Sequence, residues 1–292
     1  MEQIYMRARA KINLALDITG VRTDRYHEIS TVMQCIALYD SLHIKKVYKP
    51  DYLKLVNNLA WLPNDERNLA YRAAKYLKDR FAIEDGIFIN IEKAIPASAG
   101  LGGGSADCAA ALLGIRDLFR LPINNEEIRV LSVQFGADVP FCVMRGCAHA
   151  TGIGEVLTPL PPVPHMHIVL VKPPVIVSTE DVFRGFDLNA VAAHDRPDME
   201  RVIHGIKNCD LTEICAGMAN VLESVTAREY PIIDELKGFL MDRGAEAAMM
   251  TGSGPTVFGI FKDNAAATDA AKALQSVYSD FDEIFVTRPY IY

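Results

Sequence analysis

No glycine in the 292 residues is followed by Lys-Ser or Lys-Thr, so the chain has no Walker A loop. Nor is there an H-R-D or D-F-G tripeptide, which excludes the protein-kinase signature set. The seven histidines form no H-E-x-x-H, and none of the six cysteines (Cys35, Cys108, Cys142, Cys147, Cys209, Cys215) pairs at C-x-x-C spacing. Zinc-hydrolase, zinc-finger and dithiol redox chemistry are thereby disfavoured, and the cysteines read as reduced, mostly buried thiols. A basic excess is missing as well. The formal charge is −7, which argues against a nucleic-acid platform. Any anionic ligand must then be held by local positive groups, within a Debye length of about 8 Å in physiological salt. No apolar run approaches the ~20 residues of a membrane span. Nothing at the N-terminus resembles a signal peptide, and the expected location is cytoplasmic. Internal repeats and low-complexity segments are also absent.

What is present is an ordinary globular composition, half hydrophobic and 23% charged. The length suggests two domains, and the proline-rich stretch Pro159-Leu160-Pro161-Pro162-Val163-Pro164 is the natural boundary, giving residues 1–160 and 161–292. Ile12, Leu14, Leu16 and Ile18 alternate with smaller or polar residues, the period of a half-buried strand. Further strands are expected at 28–37, at 41–47 and through Ile87, Ile89 and Ile91. Leu69, Ala73, Tyr76 and Leu77 have helical spacing, with Asn68 as N-cap. Helices are expected at 106–119 and 126–135, then a hairpin over 147–160. Beyond the prolines the order is strand 167–172, helices at 179–186, 211–224 and 231–243, strands 247–251 and 256–261, helix 264–278 and strand 283–288. That is an α+β chain whose second half follows the split βαβ order of ferredoxin-like domains.

Gly100-Leu101-Gly102-Gly103-Gly104-Ser105 precedes the alanine-rich helix. Glycines admit a phosphate close to the backbone, and a helix N-terminus offers free N–H donors and partial positive charge. Ser98 and Ser105 add hydroxyls suited to phosphate or magnesium. The alternative is a flexible turn that only begins a helix. The dinucleotide fingerprint fails, because its third glycine position falls on Ser105. Asp138, in Gly136-Ala137-Asp138-Val139-Pro140-Phe141, is either an acceptor for a hydroxyl proton or a turn and cap residue. Lys11 is either functional or one more solvated lysine. The turn Thr251 to Pro255 is either a ligand-facing set of N–H groups or a hairpin loop.

Together these stretches resemble the GHMP kinase superfamily. Its pattern combines a Pro/Ala-x-Lys strand, a P-x-x-x-G-L-G-S/G-S-x-A loop and a C-terminal glycine turn. They stand here as Ala8 to Leu14, Pro96 to Ala109 and Met250 to Phe258. Lys11-Ile12-Asn13-Leu14 continuing to Leu16, Arg25-Tyr26-His27, Gly136 to Phe141 and Gly152-Ile153-Gly154-Glu155 resemble the branch that phosphorylates a cytidylyl alcohol. The resemblance implies a ribosomal-S5-like N-terminal domain that binds ATP, a ferredoxin-like C-terminal domain, and Mg2+ with the nucleotide. It implies Asp138 as base and Lys11 as the cation near the transferred phosphoryl group. Pro96 and Gly100, Leu101, Gly102, Gly103, Gly104 and Ser105 would form the phosphate loop, with Asn68, Leu69 and Lys93 at the adenine end. Tyr26, His27 and Phe183 would hold the cytosine, with Asn13 and Thr179 nearby. The loop is one glycine richer than the usual G-L-G-S-S, and no acid stands at a clear metal-ligand spacing, so the metal ligands are unassigned. The rival readings are a homoserine, mevalonate or sugar kinase of the same superfamily, or an inactive nucleotide-binding protein on its fold.

Overall fold

The computed structural model describes residues 2–23 and 26–291; Arg25 of the Arg25-Tyr26-His27 stretch lies outside them. The chain forms two compact units, neither contiguous in sequence. One comprises Met1–Ala10, Leu38–Ala97 and Gly102–Arg145; the other comprises Lys11–Ala37, Ser98–Leu101 and Gly146–Tyr292. This differs from a single division at residue 160. The reason is two long strands, β1 (Gln3–Val21) and β2 (His27–Val47), each of which contributes one half to each unit.

In the first unit, β3 (Leu53–Asn57) runs parallel to β4 (Gly86–Glu92), which pairs antiparallel with the C-terminal half of β2. Ile44 and Leu55 both sit opposite Ile89, so one face of the three strands is continuously apolar. Four α-helices among the described residues complete the unit: α1 (Leu69–Arg80), α2 (Gly103–Phe119), α3 (Asn125–Ser132) and α4 (Val139–Met144). Asn68 caps α1 as expected, its Oδ1 accepting from Ala70 N–H at 3.0 Å. The alanines of α1 and α2 are fully buried with Ile87, Ile89 and Ile91, which is what small side chains permit where helices lie close to a sheet. Strands expected at 28–37 and 41–47 are in fact one, because Asp40 between them is buried as a hydrogen-bond acceptor and makes no turn.

In the second unit the N-terminal half of β2 pairs antiparallel with β5 (Cys147–Thr151), and β5 pairs with β6 (Val156–Leu160), the expected hairpin. A second sheet holds β7 (His167–Val171). The helices α5 (Thr179–Gly185), α6 (Met199–Lys207), α7 (Leu211–Gly217), α8 (Glu223–Glu229) and α9 (Ile232–Asp242) follow in the chain, then β8 (Ala247–Met250), β9 (Val257–Phe261), α10 (Asn264–Val277) and β10 (Ile284–Thr287). Its order, β10-β7-β9-β8 with every pair antiparallel, is the split βαβ arrangement read from the sequence. The helix expected over 211–224 is broken in two. Leu16 bridges to Asn220, and the Asn220 amide donates to the carbonyls of Met250 and Gly252, both at 2.8 Å, so the chain there serves tertiary bonds instead of helical ones.

Candidate functional site

In the second unit, Lys11 is almost completely buried on β1, a rare position for a lysine. Its Nζ donates to Asn13 Oδ1 at 2.8 Å, and Asn13 Nδ2 donates to Thr31 Oγ1 at 2.8 Å. The Thr31 hydroxyl in turn donates to the Ala15 carbonyl at 2.6 Å. Thr251 Oγ1 accepts from Asn13 N–H at 3.0 Å and lies 3.5 Å from the Gly100 carbonyl. Lys11 N–H donates to the Leu101 carbonyl at 2.9 Å. A Cβ at Gly252 would stand 3.4 Å from Lys11 Nζ, so the turn joining β8 to β9 abuts the ammonium. The structure thus brings together Lys11, Asn13, the first half of the glycine loop and the C-terminal glycine turn. Gly100 is required there: its φ is +71°, and any Cβ would fall 2.2 Å from the Thr251 carbonyl oxygen.

Thr179, first residue of α5, joins the same turn through a 2.8 Å hydroxyl contact with Ser253. Four residues along α5, Phe183 tilts against His27 with ring centroids 5.4 Å apart, and Phe186 stands edge-on to the same imidazole at 6.3 Å. Tyr26 is 61% exposed, and its carbonyl accepts from Arg22 N–H at 2.7 Å. His27 and Phe183 therefore form a pair with an exposed tyrosine adjacent in sequence. Sequence reasoning named these residues; it missed Thr31 and Asn220, buried polar residues that hold Asn13 and the glycine turn in place.

The second half of the loop belongs to the first unit. Gly102 is left-handed, with φ +69°, and turns the chain into α2, whose first turn is Gly103-Gly104-Ser105. Pro96 is buried ahead of the loop. Leu69 stands beside it, its Cδ1 4.0 Å from where a Cβ on Gly104 would be, and Asn68 precedes Leu69 as the α1 cap. The Lys93 side chain is tied within the same unit. Its ammonium pairs with Asp40 and with Asp107, the latter at 2.7 Å, and all three side chains are buried. Burial pushes Asp107 up to about 8, against the pull of the Lys93 ammonium and with the Asp40 carboxylate adding to the rise. For Lys93 burial acts downward, but the two carboxylates more than reverse it and the net direction is up.

This has a consequence for stability. Asp107 titrates near 8 in the folded chain against an ordinary 3.8, so between those values the folded state holds a proton that the unfolded state has lost. Its contribution to the unfolding free energy therefore falls as pH rises from about 4 to about 8. Asp107→Asn, which cannot titrate, is expected to flatten the decline in melting temperature between about pH 6 and 8. Equal slopes in the two proteins would show that Asp107 is not its source.

Asp138 occupies the N-cap position of α4, half-buried, yet its side chain makes no capping bond to that helix. The carboxylate is not spent as a helix cap, which was the plain structural alternative. Among the described residues no three His, Cys, Asp or Glu side chains converge to hold a metal ion. Magnesium bound with a nucleotide takes most of its oxygens from phosphate and water, so such an ion would need few of them from the protein.

A family model described as the GHMP kinases N terminal domain matches residues 68–146, and one described as GHMP kinases C terminal matches 202–280. A 4-diphosphocytidyl-2-C-methyl-D-erythritol kinase of Lachnoclostridium phytofermentans is 44% identical over 288 residues, covering 99% of this chain and 98% of that relative. A crystal structure of 4-(cytidine 5'-diphospho)-2C-methyl-D-erythritol kinase superposes with a TM-score of 0.82 at 30% identity, covering 99% of this chain and 100% of that one. A homoserine kinase from Cytophaga hutchinsonii reaches 0.81 over 100% of this chain and 95% of its own, but at 18% identity it shares the fold alone.

Proposed function

This chain belongs to the GHMP kinase family, whose members are ATP-dependent small-molecule kinases, and from that premise we propose a specific reaction for it. The chain transfers the γ-phosphoryl group of ATP to the 2-hydroxyl of 4-diphosphocytidyl-2-C-methyl-D-erythritol, giving ADP and the 2-phosphate. The observation that carries the reading is the near-complete, high-identity match to relatives bearing that name. On this reading the chain serves the synthesis of isoprenoid precursors and works in the cytoplasm. No helix among the described residues is long and apolar enough to cross a membrane.

The residues support particular roles. The N–H groups of Gly102 to Ser105, at the head of the 17-residue α2, bind phosphate through aligned donors and the helix dipole. Asn68 and Leu69 line the adenine end. Lys11, buried and oriented by Asn13, offsets charge on the phosphoryl group in flight. Asp138 accepts the proton of the attacking 2-hydroxyl. Phosphoryl transfer passes through a loose transition state, so orientation of the hydroxyl counts for more than early proton removal. Magnesium on the nucleotide phosphates supplies further charge neutralisation, with no protein ligand assigned. Cytosine lies against Tyr26, His27 and Phe183. Stacking a base on an aromatic ring is worth about 1–3 kcal/mol, and neither homoserine nor mevalonate has a ring to stack. Functionally we divide the chain at residue 160 into an ATP-binding part and a ferredoxin-like part; the two family-model matches fall on either side.

A coupled assay of ADP release with a panel of alcohols tests the reading. Turnover is expected with the cytidylyl alcohol, and none with homoserine, mevalonate or a free sugar. Turnover of homoserine or mevalonate without the cytidylyl compound overturns the assignment.

A further inference from the structure

Lys93 sits at the exit of β4, just ahead of the glycine loop, and its polar groups are engaged inside the protein. Its N–H donates to Asn58 Oδ1 at 2.8 Å and its carbonyl accepts from Asn58 Nδ2 at 3.2 Å. The ammonium donates to Asp40 and to Asp107 Oδ2, with the lysine and both aspartate side chains no more than 4% exposed. Asp40 does more than pair with it. Its Oδ1 accepts from Ala94 N–H at 2.6 Å and Ile95 N–H at 2.8 Å, fastening to β2 the segment that leads to the loop. Asp107 lies four residues after Gly103, on the same face of α2. A Cβ on Gly103 would stand 3.3 Å from Lys93 Nζ and 3.1 Å from Ile95, so the ammonium lies directly behind the first turn of that helix.

We infer that the Lys93 ammonium acts as a positioning group: with Asp40 and Asp107 it fixes where the helical end of the glycine loop stands, and through that loop sets the affinity for ATP. The inference rests on the reading of Gly102 to Ser105 as the phosphate site. Its physical basis is directionality. Two aspartates around one lysine are costly to bury, and an apolar cluster would hold the helix with no such cost. Apolar contacts, however, tolerate sliding, whereas charge-assisted hydrogen bonds at fixed angles do not. Donors that cradle a phosphate need that fixity, since a misplacement near 1 Å at a reacting site costs about 100-fold. The cluster also accounts for Gly103. Any side chain there would press on the ammonium or on Ile95.

The test is calorimetric titration of the full chain with a non-hydrolysable ATP analogue and magnesium, beside a thermal melt of each variant. Lys93→Met leaves the buried Asp40 carboxylate and the Asp107 carboxyl group facing each other without the ammonium, and binding of the analogue is expected to weaken about 10- to 100-fold. Lys93→Met combined with Asp107→Leu removes the Asp107 carboxyl group while Asp40 keeps its two backbone donors. This double variant is expected to regain at least half of the lost affinity on a logarithmic scale. Should Lys93→Met not fold, Lys93→Gln keeps two N–H donors and takes its place, with a smaller loss expected. In the transfer assay the KM for ATP rises and the KM for the alcohol does not. An ammonium that touched the nucleotide would give a loss that Asp107→Leu cannot restore, and that result overturns the inference. So does unchanged affinity in folded Lys93→Met, where only the melting temperature has dropped. If the wild-type chain itself fails to bind the analogue, the phosphate-loop reading falls too, and the two failures are told apart.

Discussion

Asp138→Asn is expected to lower kcat by roughly 10²–10⁴-fold, the range for loss of a positioned general base. The substitution keeps the size and planarity of the side chain and removes only its charge and basicity. Because the Asp138 side chain does not cap α4, the amide does not weaken that helix by losing a cap. Fraying of α4 should therefore not contribute to any change in melting temperature. The KM values for ATP and for the alcohol should also move little, since the lost interaction belongs to the transition state. Steady-state kinetics on folded protein decide the matter. A kcat within a few-fold of wild type removes Asp138 from the chemistry and leaves it a turn residue.

Lys11→Met is expected to cost about 10²–10³-fold in kcat, the scale of one lost electrostatic donor in a dry site. Here the physics differs from that of Asp138. Lys11 is only 4% exposed and its ammonium is held by Asn13 Oδ1, which is itself oriented through Asn13 Nδ2 by Thr31. Methionine fills a similar volume, so packing survives, but Asn13 Oδ1 loses a charged donor. The contact from the Thr251 hydroxyl at 3.3 Å remains to it, which limits the cost to folding. The expected signature is a folded protein with a near-normal melting temperature that binds the alcohol and transfers phosphate slowly. A variant that melts early and regains full activity per folded molecule would make Lys11 a structural lysine.

Much of this was legible before any coordinates. Alternation placed β1 and β4, and the Asn68 signal placed the start of α1 at the right residue. Gly100 to Ser105 announced the loop, and the order of strands and helices after residue 161 announced the second sheet. What escaped has a common cause. β3 is five residues long with a half-polar pattern, and α6 follows a segment without clear periodicity, so neither exceeds the local background. The break between α7 and α8 comes from Asn220 bonding to residues 30 and more positions away, which no window along the chain can see. Nothing in the sequence around Asp40 sets it apart; only its partners, Lys93 and the N–H groups of Ala94 and Ile95, reveal a buried anchor. For the site residues, the family resemblance named Lys11, Asn13 and Thr179. Their arrangement through Thr31, Thr251 and Ser253 is tertiary and needed the fold.

The threading of β1 and β2 through both compact units bears on how such a protein can be inherited and rearranged. Leu16 and Ile18 lie in the core of the unit that contains the C-terminal half of the chain, and Leu16 bridges to Asn220 there. A fragment starting after the prolines would carry the four-stranded sheet but lack these two core side chains, the bridge to Asn220 and Lys11 itself. Its N-terminal complement would keep Lys11 without Thr251 or Gly252 beside it. Neither half is a portable module. Recombination at the proline-rich segment would yield two incomplete pieces, so new specificities on this scaffold are expected to arise by point substitution and loop change within an intact chain, not by exchange of its halves.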